Sequence, residues 1–199
     1  MRVPTLETDR LSIREFVLDD LKAVRLLLDG LRDSAGAVSD ERARWLNWTI
    51  SSYQELARLH QPPYGDRAIV VRQTGGLIGV CGYVPLLGPF RQIPGLADRD
   101  DGGASTRNSP EVGLYWEVLP DQRRRGYATE AAEALVRYAF GRLNLRRLVA
   151  TTTYDNLASI AVMRKLGMRI ERNPFADPRW LQIVGILAAT QADAPEAGR

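Results

Sequence analysis

The sequence predicts an α/β (α+β) domain in which strands and amphipathic helices alternate along one chain, and three observations predict it. Residues 112–119 form an apolar run rich in β-formers that stops at Pro120-Asp121 and leads directly into a helix. In that helix Ala131, Ala134, Leu135, Tyr138, Ala139 and Leu143 recur at spacings of three and four, while Glu133, Arg137 and Arg142 fall mostly elsewhere. Residues 68–72 and 77–84 are apolar or alternating and flank Thr74-Gly75-Gly76, which is a hairpin pattern.

The remaining elements follow in order. Residues 10–14 are expected as the first strand, after which Asp19-Asp20 would cap a helix carrying Leu21, Val24, Leu27 and Leu28 on one face. A further helix is expected over 42–59, followed by the hairpin. Residues 85–110 are rich in proline and glycine, carry the charged cluster Asp98-Arg99-Asp100-Asp101 and lack periodicity. They read as a long loop between the third and fourth strands, of a length that marks either function or disorder. After the long helix, 146–153 reads as a strand and 156–166 as a helix with Ala158, Ala161, Val162 and Leu166 inward and Gly167 as its stop. Residues 168–172 and 180–187 close the fold around a turn containing Pro174 and Pro178.

Composition is that of one enzyme-sized domain. With 199 residues, 45% of them hydrophobic and 26% charged, the chain can bury a full core in one domain, expected over 1–189 with a loose tail at 190–199. No stretch approaches the roughly 18 to 20 apolar residues of a membrane span, and no charged start followed by an apolar run marks a secretory signal. Cys81 is the only cysteine, so no intrachain disulfide forms. These features together point to the cytoplasm. The net charge of +3 suits a phosphate-rich ligand and is also compatible with nucleic acid. Trp45, Trp48, Trp116 and Trp180, however, are not interleaved with arginines as a base-stacking surface requires, which argues against nucleic acid as the main partner. Nothing in the apolar pattern marks a dimer face.

The most informative stretch is Arg123-Arg124-Arg125-Gly126-Tyr127-Ala128-Thr129-Glu130, between the fourth strand and the long helix. The first turn of a helix has about four backbone N–H groups without carbonyl partners, and the aligned peptide dipoles place roughly half a positive charge there. Gly126 permits close approach or φ > 0, Ala128 keeps the wall low, Thr129 adds a hydroxyl, and three arginines add charge. The stretch is a seat for a pyrophosphate. It is not a Walker loop, because no Gly-Lys-Ser or Gly-Lys-Thr follows, and it lacks the glycine triplet of a dinucleotide fold. Its other reading is a solvated basic turn.

Residues 111–139 (EVGLYWEVLPDQRRRGYATEAAEALVRYA) resemble the acetyl-CoA-binding core of the GNAT superfamily of N-acetyltransferases. The family's pattern of Gln or Arg, two residues, Gly, one residue, then Gly or Ala is matched by Arg123, Gly126 and Ala128. Asn156-Leu157-Ala158-Ser159 with Met163-Arg164-Lys165-Leu166-Gly167-Met168 is similar to elements of the branch that acetylates ribosomal-protein N-termini, at alanine or serine. Leu6-Glu7-Thr8-Asp9-Arg10-Leu11-Ser12-Ile13-Arg14 is similar to that branch's opening strand. The three matches occur in family order and span nearly the whole chain.

The resemblance implies a mixed, mostly antiparallel central sheet with helices on both faces and a splayed fourth and fifth strand pair. It implies acetyl-CoA as co-substrate, held by residues 123–129 (Arg123, Arg124, Arg125, Gly126, Tyr127, Ala128 and Thr129), with no metal. In the family a backbone amide on the fourth strand polarises the thioester carbonyl, and the matching position is Val118. The resemblance assigns the pantetheine arm to Asn156 and protonation of the leaving thiolate to Ser159. Many members use a tyrosine seven residues after that asparagine, where this chain has Met163.

Acyl transfer to an amine also needs a base. Strand alternation puts Glu111, Gly113, Tyr115 and Glu117 on one face, and Glu117, nearest the splayed end, is the candidate. Its other reading is a strand-edge carboxylate paired with an arginine; the other reading of Ser159 is helix capping. A protein N-terminal amine has a pKa near 8 and a lysine near 10.4, so the former needs less help from a base. The expected acceptor is a protein N-terminal α-amine. The alternatives are a small-molecule amine (aminoglycoside, amino acid or polyamine) or a non-catalytic acyl-CoA sensor. His60, the sole histidine, has no metal-ligating cluster around it and reads as a surface residue. Cys81 in an apolar strand reads as packing, and Lys165 as a CoA-phosphate contact or a solvated helix charge.

Overall fold

The computed structural model of the protein describes residues 2–32, 39–97 and 107–190. The chain folds into two compact units, Met1–Tyr83 with Tyr115–Leu135, and Val84–Leu114 with Val136–Arg199. Strands and helices follow as β1 (Leu6–Glu7), β2 (Leu11–Arg14), α1 (Leu21–Arg32), α2 (Ser39–Arg58), β3 (Gly65–Val71), β4 (Leu77–Gly88), β5 (Ser109–Val118), α3 (Tyr127–Gly141), β6 (Arg147–Thr152), α4 (Leu157–Lys165), β7 (Arg169–Arg172) and β8 (Ile183–Ala188). The strands form one eight-stranded sheet in the order β1-β2-β3-β4-β5-β6-β8-β7. Pairing is antiparallel for β1–β2, β2–β3, β3–β4, β6–β8 and β7–β8. The β5–β6 pair is parallel, with a single register pair at Gly113↔Val149, so its ladder is short. No helix among the described residues is long and apolar enough to cross a membrane.

The first unit is built on β1 to β3 and the first half of β4. Four successive residues of β3, Arg67–Val70, are buried, which requires cover on both faces of that strand. One cover comes from the two N-terminal helices. Val24 and Leu27 of α1 and Leu46 of α2 pack with Phe16, Ala68, Val70 and Val80, and Trp45 meets Phe16 edge to face at 5.3 Å. Tyr83, on β4, donates its hydroxyl to the Leu135 carbonyl of α3 at 2.5 Å. Cys81 is fully buried in β4, and burial pushes its thiol up to about 12, which suits packing and not nucleophilic chemistry.

Asp19-Asp20 does not cap α1 in the expected way. A short 3₁₀ turn, Leu18–Asp20, precedes the helix, and the Asp20 carboxylate reaches back to the Val17 N–H at 2.9 Å. Arg14 binds the same carboxylate through two hydrogen bonds of 2.7 and 2.8 Å. The first strand is also longer in its reach than residues 10–14. Leu6–Glu7 folds back on Ser12–Ile13 as a hairpin, because the Thr8 hydroxyl accepts the Leu11 N–H at 2.9 Å and the Thr8 N–H donates to the Leu11 carbonyl at 2.9 Å.

The second unit is centred on β6, β8 and β7, with Phe90, Ile93, Val149, Leu181, Val184 and Ile186 as its core. The stretch expected as one long loop therefore divides. Pro85 to Gly88 continue β4, a 3₁₀ turn over Phe90–Gln92 buries Phe90 completely, and Ile93 follows it into the core. Phe90 packs edge to face on Trp180 at 5.9 Å. The 98–101 cluster lies outside the described residues, as does the expected tail from residue 191 onward.

The inward face of α4 also differs from expectation. Ile160 and Met163 are buried, whereas Ala158 and Ala161 are exposed. The reason lies in β8, where a Cβ on Gly185 would crowd the Met163 and Met168 sulfurs, so the large side chains occupy the space that glycine leaves. Gly167, at φ +75°, ends the helix as expected.

Candidate active site

The anion seat is built by the end of β5 and the start of α3, within the first unit. A 3₁₀ turn over Pro120–Gln122 follows the strand, and the chain then passes through Arg124 at φ +60° and Gly126 at φ +82° before the helix begins at Tyr127. The first intrahelical bond runs from the Glu130 N–H to the Gly126 carbonyl at 3.0 Å. The N–H groups of Tyr127, Ala128 and Thr129 precede it and so have no intrahelical partner. They point along the helix axis from its positive end.

The three arginines behave differently from one another. Arg123 is exposed, yet its Nε donates to the Val118 carbonyl at 3.2 Å, so its side chain folds back on β5. Arg125 donates from Nη2 to the Asp121 carbonyl at 3.3 Å, bracing the turn. Arg124 is exposed at the left-handed position.

Val118 is buried and Glu117, beside it, is exposed. Their backbone lies against Gly79 of β4, where a Cβ would collide with the Glu117 carbonyl oxygen, and the Leu119 N–H donates to the Ile78 carbonyl at 2.9 Å. Among the described residues the Glu117 carboxylate forms no ion pair. Glu111, expected on the same face, is instead buried and gripped by Arg147, with one hydrogen bond of 2.8 Å and a second, shorter one between Nη2 and Oε1. The hydroxyl of Tyr115 is buried without a hydrogen-bond partner among the described residues.

Asn156 and Ser159 stand at the start of α4, in the second unit. Asn156 is the N-cap: its Oδ1 accepts the Ser159 N–H at 3.1 Å, and its Nδ2 donates to Thr152 Oγ1 at 2.9 Å. The cap belongs to Asn156 and not to the Ser159 hydroxyl, which is partly exposed and unbonded among the described residues. Met163, seven residues after Asn156, is buried in the core. His60 and Lys165 are exposed. Among the described residues no group of three or more His, Cys, Asp or Glu could hold a metal ion.

Three residues that sequence reasoning left without a role bind the seat to the opening hairpin. Thr8 donates its hydroxyl to Glu130 at 2.6 Å, the Arg10 N–H donates to the same carboxylate at 3.0 Å, and Arg10 Nε donates to it at 2.7 Å. Arg10 Nη1 also donates to the Arg125 carbonyl at 3.0 Å, and its guanidinium lies 4.7 Å from the centre of the Tyr127 ring. The one signal in the sequence was the position of Thr8 and Arg10 inside the matched stretch 6–14 and of Glu130 inside the matched stretch 111–139.

The strand end, the basic glycine-containing turn and the helix start together present unpaired amides and positive charge to an anion. Residues 10–169 match the acetyltransferase (GNAT) domain family, and the chain belongs to that family. It is an acetyl-CoA-dependent N-acetyltransferase. The uncharacterized N-acetyltransferase YoaA of Bacillus subtilis is 30% identical over 169 residues, which cover 84% of each chain. An acetyltransferase structure from Agrobacterium tumefaciens superposes with a TM-score of 0.65 at 25% identity, over 95% of this chain and 96% of that one. The ribosomal-protein-S5-alanine acetyltransferase of Vibrio fischeri shares the fold, with a TM-score of 0.66 at 13% identity over 95% and 98% of the two chains.

Proposed function

We propose that this protein transfers the acetyl group of acetyl-CoA directly to a protein N-terminal α-amine. The observation that carries the cofactor half of this reading is the turn at residues 123–129, whose amides at Tyr127, Ala128 and Thr129 have no intrahelical partner. Arg123, Arg124 and Arg125 add positive charge around that turn. The pyrophosphate is bound there, and the Val118 amide donates to the thioester carbonyl oxygen as charge builds on it.

The chemistry is one displacement. The amine nitrogen attacks the thioester carbonyl carbon, the C–S bond breaks, and the products are an acetamide and free CoA thiol. Glu117 takes the proton that the amine loses, directly or through water; its exposed, unpaired carboxylate supports this role. Ser159 gives a proton to the departing thiolate and regains one from solvent. Its unbonded hydroxyl supports that role, while Asn156 holds the start of α4 in shape and meets the pantetheine arm.

The acceptor half rests on the similarity of residues 6–14 and 156–168 to enzymes that modify ribosomal-protein N-termini. A thiol-release assay tests it, with peptides bearing free N-termini compared with N-blocked peptides carrying lysine, amino acids, aminoglycosides and polyamines. Release is expected with the free N-terminal peptides. Turnover confined to a small amine would move the acceptor to that class and leave the cofactor site intact.

A further inference from the structure

We propose that Arg10 is a positioning residue for the CoA phosphates, acting by cancelling the charge of Glu130 at the rim of the seat. The inference rests on the reading of residues 123–129 as that seat. Glu130 follows directly after the three unbonded amides, so its carboxylate belongs to the same helical turn that receives the pyrophosphate. A carboxylate there gains from the helix dipole when the helix is alone. Beside a bound pyrophosphate it becomes a like charge and opposes binding.

The structure surrounds this carboxylate with donors: the Thr8 hydroxyl, the Arg10 N–H and the Arg10 guanidinium, which approaches Oε2 to 2.7 Å through Nε and 2.5 Å through Nη2. Burial opposes ionisation of Glu130, but the Thr8 and Arg10 hydrogen bonds and the Arg10 charge outweigh it and hold the carboxyl below the usual range. Glu130 is therefore ionised at neutral pH, and the geometry gives its charge a partner in Arg10.

Arg10 is placed for that task. One face of its fork takes Glu130, Nη1 takes the Arg125 carbonyl of the turn, and Nη2 lies 3.3 Å from the point a Gly126 Cβ would occupy. The same cation thus neutralises the carboxylate and fixes the backbone whose amides bind phosphate. A lysine ammonium, a point charge on a flexible stem, cannot do both.

A double-mutant cycle on CoA affinity tests the proposal, with Arg10→Met, Glu130→Gln and the double variant titrated calorimetrically and their urea midpoints measured alongside. Arg10→Met, which keeps an apolar stem against Tyr127, is expected to weaken CoA binding about ten-fold by leaving the Glu130 charge without its cation. Its effect on turnover is expected in the KM for acetyl-CoA and not in kcat. The double variant is expected to recover most of the loss, and Glu130→Gln alone to bind CoA at least as tightly as the wild type. A double variant as weak as Arg10→Met, or a ten-fold loss in Glu130→Gln, would overturn the proposal, because a purely structural clamp loses with either partner. The Glu130→Gln result stands even where an Arg10 variant fails to fold. Undiminished CoA affinity in Gly126→Trp would instead overturn the seat itself, and the cycle with it.

Discussion

Gly126 turns the chain through φ +82° at the mouth of α3, a conformation that an L side chain enters at a cost of about 1–2 kcal/mol. Gly126→Ala is expected to lower the stability by about that amount in urea denaturation. Gly126→Trp adds bulk over the amides and is expected to abolish the thermal stabilisation that CoA gives the wild type, about 2.7 kcal/mol at 100 times Kd. Asp20 makes a different residue-scale case. Burial opposes its ionisation, yet the Arg14 and Val17 hydrogen bonds and the Arg14 charge prevail and hold its carboxyl below the usual range. A pKa lower in the folded state than in the unfolded one contributes stability above about pH 4 and loses it as pH falls through the folded value. Asp20→Asn is therefore expected to cost about 1–3 kcal/mol at neutral pH, with the gap to wild type closing in acid. A gap that held constant down to pH 2 would contradict the charged pair.

At the scale of elements, the long helix was legible because its apolar residues recur every three or four positions, and the β3–β4 hairpin because a Thr-Gly-Gly turn separates two β-rich runs. Those signals are local. The path from Gly88 to Ile93 was not legible, since Phe90 and Ile93 enter the core from an aperiodic, proline-rich stretch. On α4 the small alanines matched a helical face, but the partner is the groove above Gly185, which selects Ile160 and Met163. The Arg10–Glu130 pair, 120 residues apart in sequence, leaves no local pattern at all. The turn that opens α3 was legible, because a helix start, a glycine and a cluster of arginines are all neighbours in sequence. Two expectations follow for these elements. Gly79→Ala drives a methyl group into the Glu117 carbonyl, so it should cost about 1–3 kcal/mol and lower kcat by displacing the Val118 amide; an unchanged kcat would detach β5 from the chemistry. Asn156→Ala removes the cap of α4 and should cost about 1 kcal/mol, read as a lower urea midpoint.

At the scale of the whole molecule, an eight-stranded, mostly antiparallel sheet belongs to a chain whose match to the acetyltransferase family spans residues 10–169. Family membership accordingly defines the donor more closely than the acceptor, and the N-terminal α-amine rests on short motifs at residues 6–14 and 156–168. The donor site is the claim on which the remaining roles depend. Its most direct test is a crystal structure of the protein with CoA. The pyrophosphate oxygens are expected within hydrogen-bond distance of the Tyr127, Ala128 and Thr129 amides, with Arg10 still paired to Glu130. A pyrophosphate bound away from the start of α3 would contradict the site, and with it the roles assigned to Val118, Glu117 and Ser159.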